Sequence, residues 1–174
     1  LTLLGEDQNN QVVSKLQRTV RNYRSTTRRL ERIGEYKNTV LYDDYGHHPV
    51  EISASLNALR NFYPDHEMIV AFMPHTYTRT QMLMHDFAQA FSLADQVIIN
   101  EIYASARETP LPGVSGEELA KETAKYHPKV SYLTKEATKA YIKSLPNSTK
   151  PYLFLTIGAG DNWKITHHLL HPNE

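Results

Sequence analysis

Cysteine is absent from the 174 residues, and this absence excludes a disulfide scaffold and a thiolate metal site. It also fits a reducing compartment. No apolar run approaches the roughly 20 residues that a membrane-spanning helix needs, and no signal peptide opens the sequence. The formal net charge is zero, so the chain has no overall field that would attract nucleic acid or an anionic membrane. We therefore expect neither as a partner.

Two catalytic signatures are also missing. The sequence has no G-x-x-x-x-G-K-[ST] phosphate loop, which argues against a self-sufficient nucleotide hydrolase. It has no serine in a G-x-S-x-G elbow, the mark of one large class of hydrolases. The length suits a single domain, and the hydrophobic fraction of 40% is enough for a core. Because the chain begins with Leu1 rather than Met, we expect it to be a piece of a longer protein.

What the chain does contain is a regular alternation of short apolar runs and amphipathic segments. Runs such as "EMIVAF" are typical of buried strands, and Pro49 followed by Ile52, Leu56 and Leu59 is typical of a helix start. Alternation of this kind predicts βα units and a parallel sheet with helices on both faces. Strands are predicted near 39–45, 67–74, 95–103, 129–133 and 151–161, and helices near 49–59, 82–91, 115–126, 134–145 and 162–170.

One extended segment does not fit a βα unit. "RRLERIGEY" lies only a few residues before "TVLYDDY", too close for a helical crossover, and is predicted to pair with it as an antiparallel hairpin turning at Gly34 or Lys37–Asn38. The predicted fold class is therefore α/β. We expect a Rossmann-like open sheet of about six strands, mostly parallel with one antiparallel edge strand.

Unusual polar residues follow the predicted parallel strands. In open α/β sheets, ligands bind beyond the carboxyl ends of the strands, and these ends share one edge. The sequence therefore predicts a site built from four loops. They are "DDYGHH" (43–48), "PHTYTRT" (74–80), "EIYASARE" (101–108) and "GAGDN" (158–162).

Each loop also has an ordinary explanation. Asp or His can simply cap a helix, "GAGDN" can be only a tight turn, and "RRLER" can be a solvated strand face rather than a phosphate-binding one. A metal site of Asp44, His47 and His48 is conceivable, but adjacent histidines seldom face one ion, and no metal ligand is predicted. Taken together, the loops indicate half of a site, with Arg, His and backbone donors for anions that another domain partly holds.

Four stretches carry a resemblance to a known family. "DDYGHHPVEI", "PHTYTRT", "LADQVIINEIYASARE" and "LTIGAGD" are similar to the C-terminal domain of the Mur ligases, and the resemblance runs from "YRSTTRRLERIGE" to "GAGDNWKI". It implies a three-domain bacterial cytoplasmic enzyme of peptidoglycan precursor synthesis. The N-terminal domain would hold the UDP-sugar, and the central domain would bind ATP and Mg²⁺. Residues 1–174 would then be the C-terminal domain, with 1–22 as a lead-in helix from the missing central domain.

The resemblance also implies a reaction. The muramoyl carboxylate is activated as an acyl phosphate, and the amine of an amino acid then attacks it. Within the family, the form of "PHTYTRT" favours the member that adds L-alanine to UDP-N-acetylmuramate over the member that recycles muropeptides. Partners would be L-alanine, ATP, UDP-N-acetylmuramate and the other two domains of the same polypeptide.

Site residues follow from the same resemblance. Arg29 matches a position near the nucleotide. Asp43 and Asp44 match an acidic pair that approaches the nucleotide ribose, and Asp44 is the favoured member.

The amino-acid pocket is assigned in the same way. Tyr45 and His47 match positions near the acyl phosphate, and His75 and Arg79 match the motif that holds the amino-acid carboxylate. His47 and Arg79 would be catalytic. Many family members have Arg directly after the motif's histidine; this chain has Thr76, as some others do, which puts more weight on Arg79.

Two other functions remain open from the residues. One is a module that binds a nucleotide or a small acid without turning it over, which the missing phosphate loop supports if the chain is complete. The other is a small metal hydrolase that uses the His47–His48 pair.

Overall fold

The computed structural model describes residues 27–172, so the predicted lead-in helix at 1–22 lies outside the described residues. Within residues 27–172 the chain forms six strands and six helices. The strands are β1 (Glu31–Tyr36), β2 (Thr39–Asp44), β3 (Glu67–Phe72), β4 (Gln96–Ile99), β5 (Val130–Tyr132) and β6 (Tyr152–Ile157). The helices are α1 (Pro49–Phe62), α2 (Tyr77–Met82), α3 (Met84–Gln89), α4 (Gly116–Thr123), α5 (Lys135–Ser144) and α6 (Trp163–Leu170).

All six strands form one sheet in the order β1-β2-β6-β3-β4-β5. The pair β1–β2 is antiparallel, and every other pair is parallel, so the predicted sheet with one antiparallel edge strand is confirmed. The hairpin turns at Lys37–Asn38, where Lys37 has a φ of 52°. Gly34 instead lies at a register irregularity in β1, and a Cβ there would come within 2.8 Å of Leu170 at the end of α6.

Helices cover both faces of the sheet, as predicted. Alternate residues of β3 point to opposite faces: Met68, Val70 and Phe72 join one buried cluster, and Ile69 and Ala71 join the other. The helical residues of the first cluster come from α1, α3 and α4, and those of the second come from α5 and α6. Each fully buried aliphatic side chain contributes about 1.5–3 kcal/mol of hydrophobic stabilisation. The core therefore holds the rigid sheet edge on which the loops lie.

The structure corrects the predicted helix over residues 82–91. The helix found there, α3, is shorter than predicted, and the separate helix α2 precedes it; the chain breaks between them at Leu83, whose φ is −111° and ψ 16°. Met82 is 79% exposed and does not belong to the apolar face, whereas Phe87 and Phe91 pack on Phe72 at ring distances of 5.2 and 5.6 Å. Among residues 27–172, no helix is long and apolar enough to cross a membrane.

Candidate functional site

The four predicted loops meet at the carboxyl edge of the parallel strands. Backbone hydrogen bonds join them in series: Gly158 N–H donates to Asp44 O at 3.0 Å, and Met73 N–H donates to Ile157 O at 3.0 Å. Tyr103 N–H then donates to Pro74 O at 2.8 Å. The loops after β2, β6, β3 and β4 therefore form one continuous rim, as the topology predicted.

Asp43 and Arg28 fix the hairpin to the loop after β6. Arg28 Nε lies 2.8 Å from Asp43 Oδ2, and its two Nη atoms donate to the carbonyls of Gly160 at 3.0 Å and Gly158 at 2.6 Å. The hydroxyl of Thr156 donates to Asp43 Oδ1 at 2.7 Å. Burial raises the pKa of Asp43, while the hydrogen bonds from Arg28 and Thr156 act against that rise. These contacts give Asp43 and Arg28 a structural task at the rim.

Asp44 joins the segment before β1 to the loop after β2. Its Oδ2 accepts from Leu30 N–H at 2.6 Å, and its Oδ1 accepts from Gly46 N–H at 2.6 Å. The residue is 7% exposed. Leu30 and Arg28 both have positive φ, at 47° and 58°, so this carboxylate stabilises a tightly bent segment. The nucleotide role of Asp43 and Asp44 stays a prediction.

Arg29 and Tyr45 form the exposed part of the rim beside this network. The Arg29 guanidinium carbon lies 5.6 Å from the centre of the Tyr45 ring, and Arg28 lies 5.1 Å from the same ring. Such distances are within the range of a cation–π contact. Tyr45 is 36% exposed. The structure thus separates two adjacent arginines, Arg28 bound inward to carbonyls and Arg29 at the surface.

His47 is held at the N-terminus of α1 by a glutamate that the sequence reasoning missed. Glu51 Oε2 accepts from the backbone N–H of His47 at 2.8 Å and of His48 at 3.0 Å. Burial opposes ionisation of Glu51, but these hydrogen bonds and the nearby positive charges outweigh it and lower its pKa. The signal was present, because Glu51 occupies the third position of a helix whose first residue is Pro49.

The His47 ring has a defined tautomer. Its Nδ1 lies 3.1 Å from the carbonyl oxygen of Tyr45 and 3.8 Å from Glu51 Oε2. Both oxygens can only accept, so we assign the proton to Nδ1. In neutral His47, Nε2 is then a free acceptor of the kind a general base requires.

His75 has the opposite assignment. Arg79 Nη1 lies 3.3 Å from His75 Nδ1, and because a guanidinium only donates, Nδ1 accepts and Nε2 carries the proton. Burial and then the positive charge of Arg79 lower the pKa of His75. The His75 ring centre lies 6.3 Å from that of His47. The structure therefore brings together one histidine that accepts, one that donates, and an arginine.

The turn between His75 and Arg79 is strained and externally supported. Thr76 is β-branched yet has a φ of 70°, in the left-handed region. Its N–H donates to Tyr103 O at 3.1 Å, and Glu108 accepts from the backbone N–H groups of Tyr77 and Thr78, each at 2.9 Å. The sequence placed Glu108 in the predicted loop 101–108 but did not show what it binds, because it lies 30 residues from Thr78 and its partners there include backbone groups.

The conceivable metal site does not form. In the part of the chain that the structure describes, no three His, Asp or Glu side chains are grouped so that they could hold a metal ion. Both oxygens of Asp44 accept backbone N–H groups instead. His48 is exposed beside its helix, with His47 directed to the other loops.

Comparison with known proteins gives a consistent result. The family model described as "Mur ligase, glutamate ligase domain" matches residues 28–160. A UDP-N-acetylmuramate–L-alanine ligase of Bdellovibrio bacteriovorus is 43% identical over 143 residues, which cover 82% of this chain and 31% of that protein. The chain spans about a third of the length of the curated relatives that it matches.

Two solved structures share the fold. A UDP-N-acetylmuramate-alanine ligase of Thermotoga maritima superposes with a TM-score of 0.65 at 22% identity, covering 86% of this chain and 30% of that one. A murein peptide ligase of Psychrobacter arcticus superposes with a TM-score of 0.67 at 19% identity, with the same coverage. At these identities the likeness concerns the fold alone.

Proposed function

The chain belongs to the Mur ligase family, and from this premise we propose that it is the amino-acid-binding domain of an ATP-dependent ligase that adds L-alanine to UDP-N-acetylmuramate. The reaction would take place in the bacterial cytoplasm, in peptidoglycan precursor synthesis. The observation that carries the proposal is the cluster of His47, His75 and Arg79, with opposite tautomers on the two histidines. The 43% identity to an L-alanine ligase supports the choice of amino acid.

Arg79 and His75 are suited to hold the carboxylate of L-alanine. A guanidinium fork and the Nε2–H of His75 would donate to its two oxygens, and charge-assisted bonds of this kind fix orientation. Because the pKa of His75 is lowered, His75 is neutral and keeps this single donor at neutral pH. The amine would then lie on the side of His47.

His47 is suited to receive the proton that the amine must lose. The ammonium of L-alanine gives one proton to Nε2 of neutral His47, and the freed amine attacks the acyl carbon of the activated muramoyl group. A C–N bond forms, the nitrogen loses its second proton to the departing phosphate, the C–O bond to phosphate breaks, and inorganic phosphate leaves. His47, once protonated, would stabilise the negative charge that develops on the acyl oxygen.

ATP and Mg²⁺ are assigned to the rest of the enzyme in this proposal. The sequence has no phosphate loop, and residues 27–172 present no group of three metal ligands. Bound there, Mg²⁺ would neutralise the phosphates of ATP. Arg29, Asp43 and Asp44 are proposed to border the nucleotide from this side. Asp44 would do so through its loop, since both of its carboxylate oxygens accept backbone N–H groups.

A direct test uses the natural gene product that carries this chain. It is incubated with ATP, Mg²⁺, UDP-N-acetylmuramate and L-alanine, and the product is identified by mass spectrometry, with phosphate release measured in parallel. The expected result is UDP-N-acetylmuramoyl-L-alanine, formed only when all substrates are present. No product with L-alanine would overturn the proposal.

A second arm separates the related activity. The murein peptide ligase fold match makes the recycling reaction the natural competitor, and a related solved domain is named for the tripeptide L-Ala-γ-D-Glu-meso-diaminopimelate. This tripeptide therefore replaces L-alanine in a matched assay. Product with the tripeptide alone would identify a recycling ligase. Binding of L-alanine without product in either assay would identify a non-catalytic module.

A further inference from the structure

The segment that carries His75 and Arg79 is held from outside by the loop after β4. Tyr103 pairs with this segment as an isolated parallel bridge at His75, receiving the Thr76 N–H at 3.1 Å and donating its own to Pro74 O at 2.8 Å. The rings of His75 and Tyr103 lie 6.0 Å apart. This pairing fixes the chain before the turn but leaves the start of α2 to other groups.

Glu108 holds the start of α2. Its Oε2 accepts from Tyr77 N–H at 2.9 Å, and its Oε1 accepts from Thr78 N–H at 2.9 Å and from the Thr78 hydroxyl. The first N–H groups of a helix have no acceptor inside the helix, and here a carboxylate from a distant loop accepts their hydrogen bonds. The capping contact of Thr76 itself is long, at 3.4 Å from its hydroxyl to Arg79 N.

The loop of Glu108 is itself closed. Glu108 N–H donates to Ser105 O at 3.0 Å, which folds residues 105–108 into a turn beneath the bridge at Tyr103. Desolvation opposes ionisation of Glu108, but the hydrogen bonds from Thr78 and Tyr77 outweigh it and lower its pKa. The carboxylate is therefore ionised at neutral pH, when it binds most strongly to N–H groups.

The hydrogen bonds of Tyr103 and Glu108 matter because the backbone of Thr76 between them is strained. Thr76 adopts a backbone conformation that β-branched residues rarely take, and such conformations persist only where the surroundings over-determine them. Tyr103 binds the backbone at and before Thr76, and Glu108 binds the backbone directly after it. His75 precedes Thr76, Arg79 follows it by three residues, and the two side chains contact each other at 3.3 Å. The relative position of His75 and Arg79 therefore depends on both sets of hydrogen bonds.

We propose that Glu108 is a positioning residue for amino-acid carboxylate recognition: it sets the orientation of His75 and Arg79 by holding the start of α2. The inference rests on the proposed function, because it assigns the carboxylate of L-alanine to that pair. Glu108 acts through the backbone of Tyr77 and Thr78.

Glu108→Gln is the sharpest variant. One oxygen of the carboxylate becomes an NH₂ group, and in either orientation this donor faces an N–H donor of Tyr77 or Thr78. In the natural gene product, the KM for L-alanine should rise at least about tenfold, since small misplacements of positioning groups have effects of that size. The values of kcat and of KM for ATP and for UDP-N-acetylmuramate should change less than about twofold. Partial unfolding would instead lower kcat and leave the KM for L-alanine unchanged.

Two further variants complete the design. Thr78→Val removes only the hydroxyl bond and should raise the KM for L-alanine in the same direction by less, which keeps the test valid if Glu108→Gln folds poorly. Glu117→Gln is the matched control, because Glu117 is an exposed glutamate that pairs with Lys121 on α4. It should leave every kinetic constant unchanged.

The outcomes separate the two proposals. Product from the wild type with an unchanged KM for L-alanine in Glu108→Gln and Thr78→Val would overturn the role of Glu108 alone. No product from the wild type would overturn the proposed function and the recognition role with it. Positioning itself is read in the 174-residue chain, where Glu108→Gln should shift the side-chain ¹⁵N signals of His75 and speed exchange of the Tyr77 and Thr78 amides. Unchanged signals there would overturn the positioning role.

Discussion

The two histidines of the site differ in the atom that carries the proton, and this difference follows from their neighbours. His47 Nδ1 faces the carbonyl oxygen of Tyr45, whereas His75 Nδ1 faces the guanidinium of Arg79. Neither neighbour can exchange its role as acceptor or donor. A base and a hydrogen-bond donor therefore coexist about 6.3 Å apart, measured between ring centres, without any difference in residue type.

The pKa of His75 is the most direct residue-scale test. Burial and then the charge of Arg79 lower it from 6.5, so Arg79→Ala should raise it back toward that value. Because the folded-state pKa lies below the unfolded one, the unfolded chain binds more protons just below pH 6.5, and stability falls there as pH falls. NMR titration of the His75 ring in the 174-residue chain measures the pKa. Arg32→Ala, on exposed β1, is the control and should leave it unmoved.

Arg79 should also decide the affinity for the amino acid. In the natural gene product, Arg79→Ala should raise the KM for L-alanine by about 100-fold, which corresponds to about 2.7 kcal/mol for a lost charge-assisted contact. The KM for UDP-N-acetylmuramate should change much less. Steady-state kinetics with each substrate varied in turn measure both constants. An unchanged KM for L-alanine would refute the role of Arg79.

At the scale of elements, the loop after β6 lies so close to the loop after β3 that its glycines leave no room for a side chain. A Cβ on Gly158, whose φ is +140°, would come within 2.4 Å of Met73 O. A Cβ on Gly160 would come equally close to Met73 Sδ. This close approach brings the Gly158 and Gly160 carbonyls to Arg28 and joins the hairpin to the rim.

Gly158→Ala should therefore destabilise the domain beyond the cost of its backbone conformation. Gly113→Ala is a matched control: Gly113 also has a positive φ, at +72°, but has nothing within 4 Å of its Cβ position. We expect a loss of about 1 kcal/mol in the free energy of unfolding for Gly113→Ala and about 3 kcal/mol for Gly158→Ala. Urea denaturation of the 174-residue chain measures both. Equal losses would show that the contact with Met73 is not limiting.

The elements themselves were largely predictable from the sequence. Apolar runs identified all five parallel strands, and the short spacing before "TVLYDDY" identified the antiparallel edge, because no crossover fits there. The helix predicted over 82–91 was too long at both ends, since the apolar period continued through Leu83 while the helical backbone did not. Periodicity reports which side chains are buried, and it does not show where a chain bends between two buried positions.

The site was predictable as a location and less so as a set of contacts. Topology alone brought the loops of His47, His75 and Arg79 together. The sequence did not predict that Arg28 binds carbonyls of the rim while Arg29 lies at the surface. Adjacent residues of one type differ only in the groups that they contact after folding. Glu108 was missed for the same reason, because its partners are 30 residues away and are backbone groups.

For the whole molecule, the rim presents the donors and acceptors that we propose for an amino acid, and the 174 residues contain no phosphate loop for ATP. The chain spans about a third of the length of the relatives that it matches. An amino acid as small as L-alanine gains little binding free energy from one rim, because few atoms are available to bury. In the proposed function, useful affinity then depends on a second surface that brings the acyl phosphate.

The 174-residue chain by itself should therefore bind L-alanine more weakly than about 1 mM, a free energy of about −4 kcal/mol, and should form no product with ATP, Mg²⁺ and UDP-N-acetylmuramate. NMR titration with L-alanine should still move the signals of His75 and His47 in the wild-type chain. The same two signals should hardly move in the Arg79→Ala variant, which separates a weak specific contact from none. The natural gene product, under the same conditions, should turn the substrates over. ATP-dependent product from the 174-residue chain would contradict the division of the site, because the residues that bind the phosphates would then have to lie on this chain.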